Sequence, residues 1–496
     1  MTPQNSGGGK GGGLSPLIHL SNNWISLAGV VIVTTATVFW LFLLPVTLHG
    51  QTTNPYVGIL AFLTIPAPFF VGLFMIPLGI WLKKRREGRL GLLPRGTPLI
   101  WSANPELRKL VYFVGVATVL NIVIASQLTY GAVNYMDSVT FCGETCHQVM
   151  QPEYTAYQHS PHAHVECVKC HIGPGASWFV KSKISGTGQV LAVALHTYPT
   201  PIPTPVTSLR PARETCEQCH WPSRFSGDLF FVRTHYGDDE KSTATYTVGL
   251  MKVGGLARGG VMGIHGLHAA SKGHIEYIST DDKRQVIPRV MYTDPKGKVT
   301  VFNSTDAPAT EAALQKGERR TMDCIDCHNR PTHVFQLPEQ GVDQAMSNGQ
   351  ISQQLPFIKK EAVQVLKDAQ GDRDTAVAGI AAKLESYYHS TYPQVEQSKA
   401  AELKSAIKAV QAIYLRNVFP AMKVTWGTYP NNIGHMDFPG CFRCHDGNHT
   451  SASGETIPND CSTCHDMLAV DESNPKILTD LGVTQPPPNA TGGLAN

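Results

Sequence analysis

The sequence predicts a mainly α-helical protein in two parts: three N-terminal transmembrane helices, then an exported region strung on repeated cysteine–histidine motifs and broken by a small β insertion. Three observations predict this. Apolar residues concentrate in three stretches, at about 24–45, 56–82 and 110–130, each near the ~20 residues a helix needs to cross a bilayer. All 12 cysteines lie beyond the third stretch. The sequence between the cysteines changes character twice, from β-rich runs to runs with apolar residues at helical spacing.

The termini and spans set the outer boundaries. Residues 1–23 read as a flexible, Gly-rich tail and 24–132 as the membrane domain. The first stretch is not a signal peptide by pattern, because its apolar core is long, its flank is poor in charge and no A-x-A site follows. Basic residues set the orientation. Lys83, Lys84, Arg85, Arg86 and Arg89 close the second span, whereas the HGQTTNPY loop between the first two carries neither Lys nor Arg. The N-terminus is therefore expected in the cytoplasm, and everything beyond residue 132 in the periplasm of a bacterial inner membrane.

The cysteines form six pairs, each followed at once by histidine: Cys142/Cys146/His147, Cys167/Cys170/His171, Cys216/Cys219/His220, Cys324/Cys327/His328, Cys441/Cys444/His445 and Cys461/Cys464/His465. Five read C-x-x-C-H, the signature of c-type haem, in which two thioethers hold the porphyrin and the adjacent histidine reaches the iron. A zinc or disulfide framework would not require a histidine after every second cysteine. Six covalently bound c-type haems are expected, on the side of the membrane where such attachment occurs. The formal charge of +3 omits two propionates per haem, about −12 in total for six. Basic residues such as Arg224 and Arg330 then read as propionate partners, and no nucleic-acid partner is implied.

The haem region divides into 133–225 with motifs one to three, a β-rich insertion at 226–320, a helical C-terminal region at 321–483 with motifs four to six, and a disordered tail at 484–496. Each motif histidine fills one axial position, so second ligands must come from elsewhere among the 20 histidines. None lies inside a predicted span, which argues against a membrane-embedded b-type haem. Proximity to motifs favours His162, His235, His333, His435 and His449, with His268 in reserve. Bis-histidine ligation suits low potentials, near menaquinol and below.

The first motif is different. In FCGETCHQVM three residues separate the cysteines, and Met150 follows His147 by three. Cys142 lies about a dozen residues past the third span, so its haem is placed where a lipid-dissolved quinol can reach it. Quinol oxidation releases two protons with two electrons and needs polar groups to bind the hydroxyl. Lys181 and Lys183 in WFVKSKISG are the candidates.

The strings FCGETCHQVM, ECVKCHIGPG, SWFVKSKISG, PTPVTSLRPARETCEQCHWP, CIDCHNRPTH and NIGHMDFPGCFRCHDGNH together resemble the NapC/NirT family of membrane-anchored multihaem quinol dehydrogenases. The resemblance is strong over about 130–225, and the C-terminal motifs extend it to the larger inner-membrane cytochromes of metal-respiring bacteria. It implies a first haem beside the quinol site with a nearby methionine ligand, here Met150. Short members place that methionine two residues after the motif histidine and keep C-x-x-C-H, so His147 and Met150 both stay open as the ligand. It also implies a quinol-site lysine twelve residues after the second motif's histidine, which is Lys183. The family's acidic position falls near Gln189, leaving Asp137, Glu144 or Glu153 as substitutes.

The expected function is menaquinol oxidation, with electrons relayed to periplasmic cytochromes or reductases in anaerobic or extracellular respiration. An electron-relay subunit without its own quinol site is the alternative, and a terminal reductase of small oxyanions ranks lowest. The sequence leaves open a homo-oligomer or a larger complex.

Overall fold

The computed structural model describes residues 20–21, 23–48, 66–91, parts of 112–145, 147–206, 210–221, 225–254, 263–270 and 274–483. It divides into two compact units, Met1–Thr145 and Cys146–Asn496.

In the first unit, helix α1 (Trp24–Leu48) packs against α2 (Pro66–Arg89). Glycines allow the approach: a Cβ on Gly29 would sit 2.7 Å from the Gly72 carbonyl oxygen. The Ser26 hydroxyl, buried at the contact, donates to the Ile76 carbonyl at 2.9 Å. Small residues and a hydroxyl bonded across the seam are how helices associate where solvent offers no hydrophobic drive. Among the described residues α2 alone is long and apolar enough to cross a membrane. Most of the third expected span, 110–130, falls outside the described residues.

The second unit is about half helical, with some sheet. Its first helices are α3 (His147–Gln158), α4 (Cys167–His171), α5 (Ala176–Ala194) and α6 (Ala212–Cys216). Strands β1 (Leu229–Tyr236) and β2 (Ala244–Met251) pair antiparallel, and β3 (His274–Ser279), β4 (Arg289–Thr293) and β5 (Val299–Ser304) form a meander. After α7 (Glu311–Lys316) come β6 (Glu318–Thr321) and the motif helix α8 (Cys324–Cys327).

Both sheets are completed from the C-terminal region. β7 (His449–Ser451) joins β5, giving the order β6-β3-β4-β5-β7, and β8 (His465–Glu472) joins β2, giving β1-β2-β8. The β-rich segment thus shares its sheets with strands that lie next to motifs five and six. One buried carboxylate makes the join at motif four. Asp326 accepts from the Tyr277 hydroxyl of β3 at 2.7 Å, from Arg320 Nε of β6 at 3.0 Å and from the Asp323 amide at 2.7 Å.

Between motifs four and five the helical spacing forms α9 (Pro338–Ser347), α10 (Ile358–Lys367), α11 (Arg373–Thr391), α12 (Pro393–Ser398) and α13 (Ala400–Asn417). Asp372 caps α11, its side chain accepting from the Thr375 amide at 2.8 Å. Leu355, Ile358, Leu366, Leu384, Tyr388 and Val410 interdigitate here, all fully buried. This bundle holds no cysteine motif, so its stability is that of an ordinary apolar core. Leu384→Ala should cost ~2–5 kcal/mol; a lowered thermal midpoint by circular dichroism, with unchanged visible absorption, is the expected outcome.

Candidate metal centres

The regular motifs are built around single helical turns. α4 and α8 carry motifs two and four, α6 opens motif three, a 3₁₀ turn at Gly440–Arg443 carries motif five, and α14 (Cys461–Cys464) carries motif six. The turn is closed by the histidine amide: His220, His328 and His445 donate to the carbonyls of Cys216, Cys324 and Cys441 at 2.8, 2.8 and 3.0 Å. Residues i, i+3 and i+4 of one turn share a face, which is what two thioethers and an axial ligand to one ring need. The irregular first motif has a different backbone. Phe141–Thr145, including Cys142, forms a π-helical turn, whose wider winding takes up an additional residue.

Not every expected attachment cysteine is equally enclosed. Cys170, Cys219, Cys441 and Cys461 are exposed, whereas Cys142, Cys167, Cys216, Cys324, Cys327, Cys444 and Cys464 are half-buried. In motif three α6 stops at Cys216, and the amides of Cys219 and His220 both donate to the Cys216 carbonyl, at 3.1 and 2.8 Å. Cys219 lies within electrostatic reach of Cys170 of motif two. Cys444 likewise follows the end of its turn but is enclosed, and burial pushes its thiol up to about 12.

Each of the five regular motif histidines faces a second histidine from elsewhere in the chain. Ring centroids are 6.2 Å apart for His171 and His333, 6.0 Å for His220 and His162, and 6.2 Å for His328 and His265. They are 5.9 Å apart for His445 and His268 and 6.2 Å for His465 and His435. Such separations are too long for stacking contact. Two metal–imidazole bonds of about 2.0–2.1 Å set end to end, plus about 1.1 Å from each nitrogen to its ring centre, come to about 6.3 Å. The pairs therefore have the spacing of two axial ligands on one iron.

Hydrogen bonding sets the ring tautomers. His333 Nδ1–H donates to Glu153 O at 2.9 Å, His265 to Val253 O at 2.6 Å, His268 to Ile264 O at 2.8 Å and His445 to Pro458 O at 2.6 Å. His162 makes a longer bond, 3.4 Å, to Pro331 O. A carbonyl can only accept, so Nδ1 holds the proton and Nε2 presents its lone pair, the arrangement of metal-ligating histidines. Surrounding protein lowers the pKa of His268, His333 and His435 and takes His328 to about 4, which keeps the imidazoles neutral. Among the described residues no three His, Cys, Asp or Glu side chains converge as a metal cluster. Two axial imidazoles and two cysteines suit a metal whose other ligands come from a porphyrin.

Successive motifs are neighbours. α6 packs against both α4 and α8, and the Cys216 and Cys324 thiols are within hydrogen-bonding reach. Arg443, inside motif five, donates to the Asp326 carbonyl of motif four at 2.6 Å, and Cys441 lies within electrostatic reach of Cys327 and Cys464. Motifs two to six thus follow one another in space in their sequence order.

The structure places the expected ligands unevenly. His162, His268, His333 and His435 face motif histidines as above. His235 does not: its Nδ1 donates to Asp343 Oδ2 at 2.9 Å and its ring is exposed on β1. His449 does not either, because Nδ1 meets Asp446 Oδ1 at 2.9 Å and Nε2 meets Ile287 O at 2.7 Å, leaving no lone pair for a metal. Sequence reasoning missed His265. It sits with His268 in IHGLH, and that short stretch presents rings to motifs four and five at once. The two-histidine repeat was the available signal.

Around the first motif, His147 opens α3, with its side chain outside the described residues, as are Cys146 and the Lys183 side chain. Met150 is half-buried on α3. Lys181 is exposed on α5, its Nζ 4.7 Å above the Trp178 ring, and Arg210 approaches the same ring at 5.9 Å. Glu153 is engaged with Arg330 at 3.0 Å, and Arg330 also covers the Tyr429 ring at 4.5 Å. That pair braces His333 and engages Glu153, one of the three acids suggested for the quinol, with Arg330, one of the two arginines suggested for a propionate.

The chain is similar to known cytochromes. The chain is 42% identical to the cytochrome c-type protein ImcH of Geobacter sulfurreducens over 448 residues, which is 90% of this chain and 88% of the relative. The NapC/NirT cytochrome c family, N-terminal region, matches residues 104–202. The chain belongs to the NapC/NirT cytochrome c family. As a member it is a c-type cytochrome with covalently bound haem, and its activity is electron transfer. It is also 32% identical to the cytochrome c-type protein NrfH of Wolinella succinogenes over 92 residues, 18% of this chain and 51% of that one. No solved structure matches it.

Proposed function

We propose that the protein is a membrane-anchored hexahaem cytochrome that oxidises menaquinol and relays the electrons through its motifs, in order, to periplasmic cytochromes or reductases in anaerobic or extracellular respiration. The five histidine pairs at 5.9–6.2 Å carry the reading. Six haems are attached by Cys142 with Cys146, Cys167 with Cys170, Cys216 with Cys219, Cys324 with Cys327, Cys441 with Cys444, and Cys461 with Cys464. Iron ligands are His171 with His333, His220 with His162, His328 with His265, His445 with His268, and His465 with His435. His147 or Met150 serves the first.

Three N-terminal spans, with the basic end of α2 in the cytoplasm, keep the first motif at the periplasmic face of the inner membrane. When bound, each haem supplies a one-electron Fe(III)/Fe(II) couple. The protein's own part at the quinol would be to bind and orient it: Lys181 and Lys183 would reach the hydroxyls, and the two protons would leave to periplasmic water as the quinol gives up two electrons. Holding the neutral imidazoles in fixed pairs means that electron transfer demands little movement of the chain.

Two experiments test this. Replacing His265 or His435 by alanine should each convert one low-spin haem to high spin by electron paramagnetic resonance, while His235→Ala and His449→Gln leave the spin states unchanged; the opposite pattern would reject the pairing. Purified protein in detergent, without partners, should be reduced by a menaquinol analogue. The Lys181→Ala/Lys183→Ala double variant should lose about 10²-fold of that rate, yet be reduced normally by dithionite. Undiminished quinol reduction in the double variant rejects the site, and no reduction of the native protein favours a relay subunit.

A further inference from the structure

Arg416, near the end of α13, is partly buried, and its side chain has no hydrogen bond, ion pair or ring contact among the described residues; its Nε is enclosed and unbonded. Several other enclosed cations of this unit are matched by an acid, although the Nε atoms of Arg210 and Arg373 are also enclosed and unbonded. Arg284 holds Glu318 at 2.7 Å, Arg320 holds Asp326 at 3.0 Å, Arg330 holds Glu153 at 3.0 Å and Lys359 holds Asp343 at 2.5 Å. Arg373, close by, is also engaged, donating to the Leu415 carbonyl and covering the Phe419 ring at 4.6 Å. A guanidinium partly drawn out of water is favoured by an anion beside it, and among the described residues none is supplied to Arg416, which points to a counter-charge that these residues do not provide.

The setting narrows what that anion is. α13 packs against α3, the helix that opens at the motif histidine His147 and whose Glu153 carbonyl receives the His333 bond. We propose that Arg416 binds a carboxylate carried by the cofactor itself, a propionate of a haem lying beside α3. The planar fork of arginine matches a carboxylate with two parallel bonds. This rests on haem attachment but not on the quinol reading. Arg416 is a positioning residue: its charge favours the reduced, less positive iron and so raises that haem's potential.

The test is a mediated spectroelectrochemical titration of the full-length holoprotein with chemical reductant, so no quinol chemistry enters. In Arg416→Gln one haem should titrate at a lower potential while the others hold their native values, and Arg416→Lys, which keeps the charge but loses the fork, should move the same haem by less. The native titration should not change on adding phosphate. Unchanged potentials in Arg416→Gln overturn the proposal, and so does a phosphate-dependent native titration, which would mean a free solute anion. Should Arg416→Gln fail to mature, an unchanged Arg416→Lys titration overturns it as well.

Discussion

Two imidazole nitrogens can share one iron only when their rings are held about 6 Å apart with both lone pairs turned inward, and the second unit is arranged around meeting that condition repeatedly. Helical turns fix one ring of each pair next to its cysteines. The partner ring comes from far along the chain: His333 reaches motif two, His162 reaches motif three, and His265 reaches motif four. Backbone carbonyls then hold Nδ1. Each pair is a long-range link, and the short helices around the motifs have few other reasons to be where they are.

The rest of the second unit supports those links. The two sheets accept β7 and β8 from the C-terminal region, so motifs five and six are fastened to strands that precede motif four. Asp326 ties motif four to β3 and β6, and Arg443 ties motif five to motif four. The bundle α9–α13 brings an apolar core of its own and braces α3 through α13. Rigid placement of neighbouring centres is what a chain of one-electron steps requires, since redox groups that move little transfer charge with little reorganisation. The NapC/NirT relationship and this spatial order point the same way.

Local patterns made much of this readable in the sequence. Cysteine pairs followed by histidine declare their chemistry within five residues, and the helices at 358–367, 373–391 and 400–417 follow from apolar spacing. Second ligands are a long-range property, which local pattern does not encode. Nearness in sequence pointed to His449, four residues beyond His445, yet that ring is locked between Asp446 and Ile287 and helps fasten β7. His235 alternates outward on a strand and is held by Asp343. His265 lies 63 residues before the histidine it faces, inside a glycine-rich stretch that reads as part of the β segment. The odd spacing of FCGETCHQVM was visible at once, but its accommodation by a π-helical turn is a backbone property that only the fold displays.

In the proposed function five of the attachment motifs are served by histidine pairs, and the first, with His147 or Met150, is served differently. Low-temperature magnetic circular dichroism of the fully oxidised holoprotein, read in the near-infrared where bis-histidine and methionine–histidine or high-spin haems give separate bands, measures this directly. Five bis-histidine haems are expected for every one of a different kind. A spectrum of bis-histidine haems alone, or one with fewer than five, would contradict it.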